Sequence, residues 1–78
     1  MKYAVIFHKT RTGYSAHAPD LPGCVAAAST LKKTEKLMRE AISFHVEMMQ
    51  EQGEKIPVPV TAAAYIPVDR STARVRLR

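Results

Sequence analysis

The sequence predicts a small α+β domain: an antiparallel sheet of three to four strands with one helix packed across one face, in the order β-β-β-α-β. Three observations carry this. Residues 2–9 and 14–18 alternate in polarity on either side of a polar loop ending in Gly13, the period-two pattern of a half-buried hairpin. Residues 31–52 repeat their apolar positions at three- and four-residue steps, the period of an amphipathic helix. Between these segments stands Pro19-Asp20-Leu21-Pro22-Gly23. Prolines hold φ near −65°, and glycine supplies the positive φ that closes a sharp corner.

The opening strand places Tyr3, Val5 and Phe7 on one face and Lys2, Ala4, Ile6 and His8 on the other. Lys9-Thr10-Arg11-Thr12-Gly13 forms the hairpin loop. The return strand then adds Tyr14, Ala16 and Ala18 to the core face, and Ser15 and His17 to the face of His8. After the corner, Cys24 to Ala28 is a short third strand. Thr30 is the expected N-cap of the helix. Leu31, Thr34, Leu37, Met38, Ala41, Phe44, His45, Met48 and Gln52 share one side of it, and Gly53 stops it. Lys32 and Lys33 occupy the first turn, where the helix dipole disfavours cations. Ile56-Pro57-Val58-Pro59 must be extended. Val60 to Val68 reads as a fourth strand, with Pro67 limiting it to an edge. Asp69 to Thr72 is a turn, and Ala73 to Arg78 alternates again. The organisation is therefore a domain over residues 1–68 and a basic tail or strand over 69–78.

A chain of 78 residues is one domain. So small a core stabilises a fold marginally, so self-association as a homodimer or higher oligomer is expected. The net charge is +5. Its main sources are Lys32, Lys33, Lys36 and Arg39, and a tail containing Arg70, Arg74, Arg76 and Arg78. That balance admits nucleic acid or an acidic protein as partner. One cysteine excludes an internal disulfide and fits a reducing compartment. No apolar run approaches a bilayer span and no signal peptide is visible, so the expected location is the cytoplasm, away from membranes.

Several pieces together resemble the HicB-like antitoxin family. They are Tyr3-Ala4-Val5-Ile6-Phe7, Gly13-Tyr14, Pro19-Asp20-Leu21-Pro22-Gly23-Cys24, Thr30 with Glu40-Ala41, and Ile56-Pro57 after Gly53. The resemblance covers roughly residues 1–60, and the proline corner is its most specific part. It implies a partial ribonuclease-H-like fold and a role in binding and inhibiting a small HicA-type toxin, an mRNA-cleaving ribonuclease with one catalytic histidine. It also implies inhibition by steric cover, through a surface near Tyr14, His17, Pro19, Asp20, Leu21, Pro22 and Gly23. The chain departs from the family pattern at Lys33, where Glu is usual, and at Thr34, where Ala is usual. Many members continue into a DNA-binding module, whereas this sequence stops at Arg78.

The residues give little support to catalysis. A two-metal nuclease needs clustered carboxylates, but Asp20, the acids from Glu35 to Glu54 and Asp69 are scattered, and the first strand has no acidic pair. His8 and His17 fall short of the three or four ligands zinc prefers. Cys24 reads as a small buried hydrophobe. The expectation is a non-catalytic protein without cofactor or metal. The Met38, Phe44, Met48 and Met49 group reads as core, with a partly exposed apolar strip as the alternative. Lys32, Lys33, Lys36 and Arg39 read as a solvated basic face, with phosphate contact as the rival. Arg74, Arg76 and Arg78 would share one face of a strand able to enter a DNA groove, giving an alternative function as a DNA-binding autoregulator. A tail without fixed structure is the competing reading. A third possibility is a self-associating domain with no toxin partner.

Overall fold

The hairpin forms where the alternation places it. In the computed structural model, which describes residues 1–70, β1 (Ile6–Lys9) pairs antiparallel with β2 (Tyr14–His17) through Phe7↔Ala16 and His8↔Ser15. The Thr10 amide donates to the Gly13 carbonyl at 2.8 Å, and the Gly13 amide donates to Thr10 Oγ1 at 3.1 Å, which closes the loop. Gly13 is required by proximity: a Cβ there would overlap the Ala28 carbonyl oxygen and stand 2.8 Å from Ser29 Cα. β3 (Val25–Ala28) pairs antiparallel with β2 on its other side, giving the order β1-β2-β3.

The opening strand is shorter than the alternation predicts, Ile6–Lys9 in place of residues 2–9. Ile6 pairs with His17, the last residue of β2. One step further, β2's chain turns into the corner, and Pro19 has no amide to offer a ladder. Tyr3 and Val5 still pack on the core without strand pairing.

α1 (Leu31–Glu51) crosses one face of the sheet. Thr30 is its N-cap, with φ −133° and ψ 158°, and its Oγ1 accepts the Lys33 amide at 3.1 Å. Gly53, at φ +70°, follows the C-cap Gln52. The buried core is Ala16, Ala18, Leu21, Cys24 and Met38, with Tyr3, Val5, Phe7, Ala26, Ala41, Ile42 and Val46 packed around it. Thr34 is fully buried and its hydroxyl donates to the Thr30 carbonyl at 2.8 Å. A threonine that weakens the helix start by propensity is therefore accommodated in the core with its polar atom satisfied.

The helix is rotated relative to the predicted face. Met38 and Thr34 meet the sheet, but Leu31, Leu37, Phe44 and Met48 are exposed, while Ile42 and Val46 take their place. The apolar arc is wider than the strip the sheet covers, and periodicity does not select which edge of a wide arc is buried.

The expected fourth strand over 60–68 is absent: among the described residues the sheet has three strands. The chain does run beside β1, where Val5, Ile6 and Phe7 line a groove with Ala63, Ala64 and Tyr65. Its amides at Val60 and Thr61 are committed to the Asp20 side chain, and Pro67 has none to give. The alternating segment 73–78, with Arg74, Arg76 and Arg78, lies outside the described residues.

Candidate functional site

The corner between β2 and β3 is two consecutive β-turns sharing Leu21. The Leu21 amide donates to the Ala18 carbonyl at 3.0 Å, and the Cys24 amide donates to the Leu21 carbonyl at 3.0 Å. Each turn has proline at its second position, Pro19 and then Pro22, where φ near −65° is wanted. Gly23 is the third residue of the second turn at φ +83°, the geometry of a type II turn, which favours glycine there. The first turn contains no positive φ, consistent with type I. The Ala18 amide donates to the Cys24 carbonyl at 3.1 Å and continues the sheet to the base of the corner.

Leu21 anchors the assembly. Its side chain is 1% exposed in the core, so it supports the corner from beneath and offers no contact surface, contrary to its expected place among partner-binding residues. Pro19, Pro22 and Gly23 are exposed. Cys24 is buried beneath them, and burial pushes its thiol pKa up, away from the thiolate a nucleophile needs.

Asp20 ties the corner to the chain beyond the helix. Its Oδ2 accepts the Thr61 amide at 2.9 Å and the Val60 amide at 3.0 Å, and its Oδ1 accepts the Thr61 hydroxyl at 2.8 Å. The Thr61 amide is the main reason the carboxyl lies below its ordinary pKa, followed by the Thr61 hydroxyl; partial desolvation opposes them, and the Val60 amide adds a smaller lowering. A second tie lies nearby in sequence, where the Tyr3 hydroxyl donates to the Pro57 carbonyl at 2.6 Å. Tyr3 and Thr61 were not among the predicted site residues; nothing in a lone tyrosine or threonine marks a partner some forty or more positions away.

Tyr14 and His17 are not brought together. Tyr14 lies on the face of Phe7 and Ala16, with the Lys9 ammonium 5.3 Å from its ring centre. His17 lies on the open face of the sheet, stacked on His8 with ring centres 5.8 Å apart and planes 8° from parallel. These are the two imidazoles the alternation places on one side. Among the described residues no group of three or more His, Cys, Asp or Glu is arranged to hold a metal. On α1, Arg39 pairs with Glu35 at 2.8 Å in full view of solvent, and such exposed pairs contribute little. No helix among the described residues is long and apolar enough to cross a membrane.

Among the described residues these features define a class: a one-helix α+β domain whose polar groups brace the backbone around an exposed proline corner. The chain belongs to the HicB-like antitoxin family, whose model, described as the HicB_like antitoxin of bacterial toxin-antitoxin system, matches residues 3–72. A 14.9 kDa protein from the rep-hol intergenic region of Haemophilus phage HP1 is 39% identical over 66 residues, covering 85% of this chain and 50% of the phage protein. The chain thus spans about half the length of that relative. A UPF0150 protein of Thermoplasma acidophilum is 40% identical over 58 residues, covering 73% of this chain and 84% of its own. Its counterpart in Archaeoglobus fulgidus is 36% identical over 63 residues, covering 77% and 91%. Among solved structures, a chain of a HicA3 and HicB3 toxin-antitoxin complex superposes with a TM-score of 0.66 at 30% identity, covering 77% of this chain and 70% of that one.

Proposed function

We propose that this chain is a non-catalytic antitoxin that binds a HicA-type toxin and blocks it sterically. The observation that carries this reading is the likeness, at 30% identity and a TM-score of 0.66, to a chain from a HicA3 and HicB3 toxin-antitoxin complex, within a family match spanning residues 3–72.

The corner supports the reading physically. It is fixed by two prolines, two turn hydrogen bonds, a buried leucine and the Asp20 tie, so docking it costs little conformational entropy. Residues 12–31 carry no Lys or Arg, although the chain as a whole is at +5. Pro19, Pro22 and Gly23 therefore present an uncharged contact surface, next to the only acid of that stretch, to a partner that handles RNA and is expected to be basic. The cover falls over the toxin's catalytic histidine and its RNA path, and no group of this chain needs to react.

Co-expression with a HicA-type toxin gene tests the proposal. The intact chain is expected to relieve growth arrest and to co-elute with the toxin on size exclusion. Pro22→Arg, at an exposed position, is expected to weaken both effects while leaving the fold intact. Absence of rescue together with absence of a complex would refute the reading.

A further inference from the structure

We propose that α1 is also an interface between two copies of this chain, packed antiparallel about a two-fold axis beside residues 42 and 43. The first observation is an apolar stripe that the domain does not cover. Leu37, Phe44 and Met48 are 41%, 63% and 39% exposed, and with half-buried Ala41 they follow steps of four, three and four residues. At 3.6 residues per turn these four side chains fall within about 60° of arc, the spacing of a two-helix seam. The stripe lies on the flank of α1 nearest β3, where Leu37 lines a surface hollow with Ala28. β3 is the edge of the sheet, so a second helix has room alongside.

The second observation is symmetry. Leu37 and Met48 stand equally far from the junction of Ile42 and Ser43, and so do Ala41 and Phe44. An antiparallel copy centred there sets Leu37 against the other copy's Met48, and small Ala41 against its Phe44. This is the self-complementarity a two-fold interface requires.

The third observation is charge. Lys32, Lys33, Lys36 and Arg39 occupy the first half of α1, with Glu35 and Glu40 as its acids; Glu47 and Glu51 occupy the second half, which has no Lys or Arg. The first turn has no acidic residue and the last turn no basic one. This order opposes the helix's own dipole, which costs stability within one copy. In the antiparallel pair, Lys33 and Lys36 come opposite Glu47 and Glu51 of the other copy, on the solvent flank of the seam. A parallel pair would set like charges together. The occupant that matches stripe, symmetry and charge at once is therefore a second copy.

Sedimentation equilibrium of the full chain, without toxin, tests this independently of the antitoxin reading. A reversible monomer–dimer equilibrium is expected. Phe44→Asp, at an exposed position, should raise the dissociation constant by about 100-fold with an unchanged circular dichroism spectrum. Lys36→Glu and Glu47→Lys should each weaken the dimer by about tenfold at low salt, and the double variant should recover it. A chain that stays monomeric at all concentrations would overturn the proposal. So would a double variant weaker than either single one, or a Phe44→Asp variant that dimerises normally but loses toxin binding.

Discussion

The Asp20 carboxylate accepts the Thr61 amide at 2.9 Å across 41 positions of sequence. This tie joins the proline corner to the chain that leaves the helix. Because the hydrogen bonds lower the Asp20 pKa below its ordinary 3.8, the tie contributes fully above that ordinary value. It is lost as pH falls through the lower folded value. The Thr61 amide proton resonance should titrate with a midpoint below 3.8, and Asp20→Ala should abolish that titration. An amide that is insensitive to acid in the intact chain would show that the tie does not form.

Two glycines should respond to alanine for different reasons. At Gly13 the new Cβ meets the Ala28 carbonyl and the Ser29 backbone, so the β1–β2 loop and the end of β3 must separate, at a cost of about 3 kcal/mol. At Gly23 nothing stands within 4 Å of the added carbon, and the cost is that of positive φ alone, about 1–2 kcal/mol. Urea denaturation should rank Gly13→Ala as the more damaging. Gly23→Asn should cost less than Gly23→Ala, because asparagine tolerates the left-handed region.

At the helix start, Thr30→Ala removes the oxygen that accepts the Lys33 amide and should cost about 1 kcal/mol. Lys33→Glu should do the opposite, completing a capping box and favouring the dipole, a gain of up to about 1 kcal/mol. The same change deletes a cation from the proposed seam, so it should strengthen the monomer and weaken the dimer. Thermal unfolding and sedimentation on one variant would read both effects.

Leu21→Ala should cost about 3 kcal/mol, because the side chain is 1% exposed beneath both turns. The Cys24 thiol next to it reports on the same packing. It should react slowly with alkylating reagents in the intact domain and quickly in the Leu21→Ala variant, an outcome that mass spectrometry would detect.

Most of what local chemistry dictates was legible in the sequence. Thr30 as cap, Gly53 as stop, the His8–His17 face and the corner at Pro19 to Gly23 all follow from residue type and short spacing, and all are present in the structure. What escaped depends on distant parts of the chain. Residues 2–5 alternate like a strand, yet their partner strand ends at His17, so no ladder reaches them. Residues 60–68 have strand composition, yet the Asp20 carboxylate takes two of their amides. Leu37 and Phe44 have core composition, yet the sheet is too narrow to cover them. Within the candidate site, the sequence identified the corner but not its division of labour: Leu21 faces inward, Asp20 is engaged with Thr61, and Pro19, Pro22 and Gly23 face solvent.

The proposed function is inhibition of a HicA-type toxin by steric cover. The most direct measurement titrates the purified chain into a purified HicA-type toxin while following cleavage of an RNA substrate. Cleavage is expected to fall linearly to zero at a fixed molar ratio, and Pro22→Arg to shift the endpoint to excess. Undiminished cleavage at a large excess of the intact chain would contradict that function.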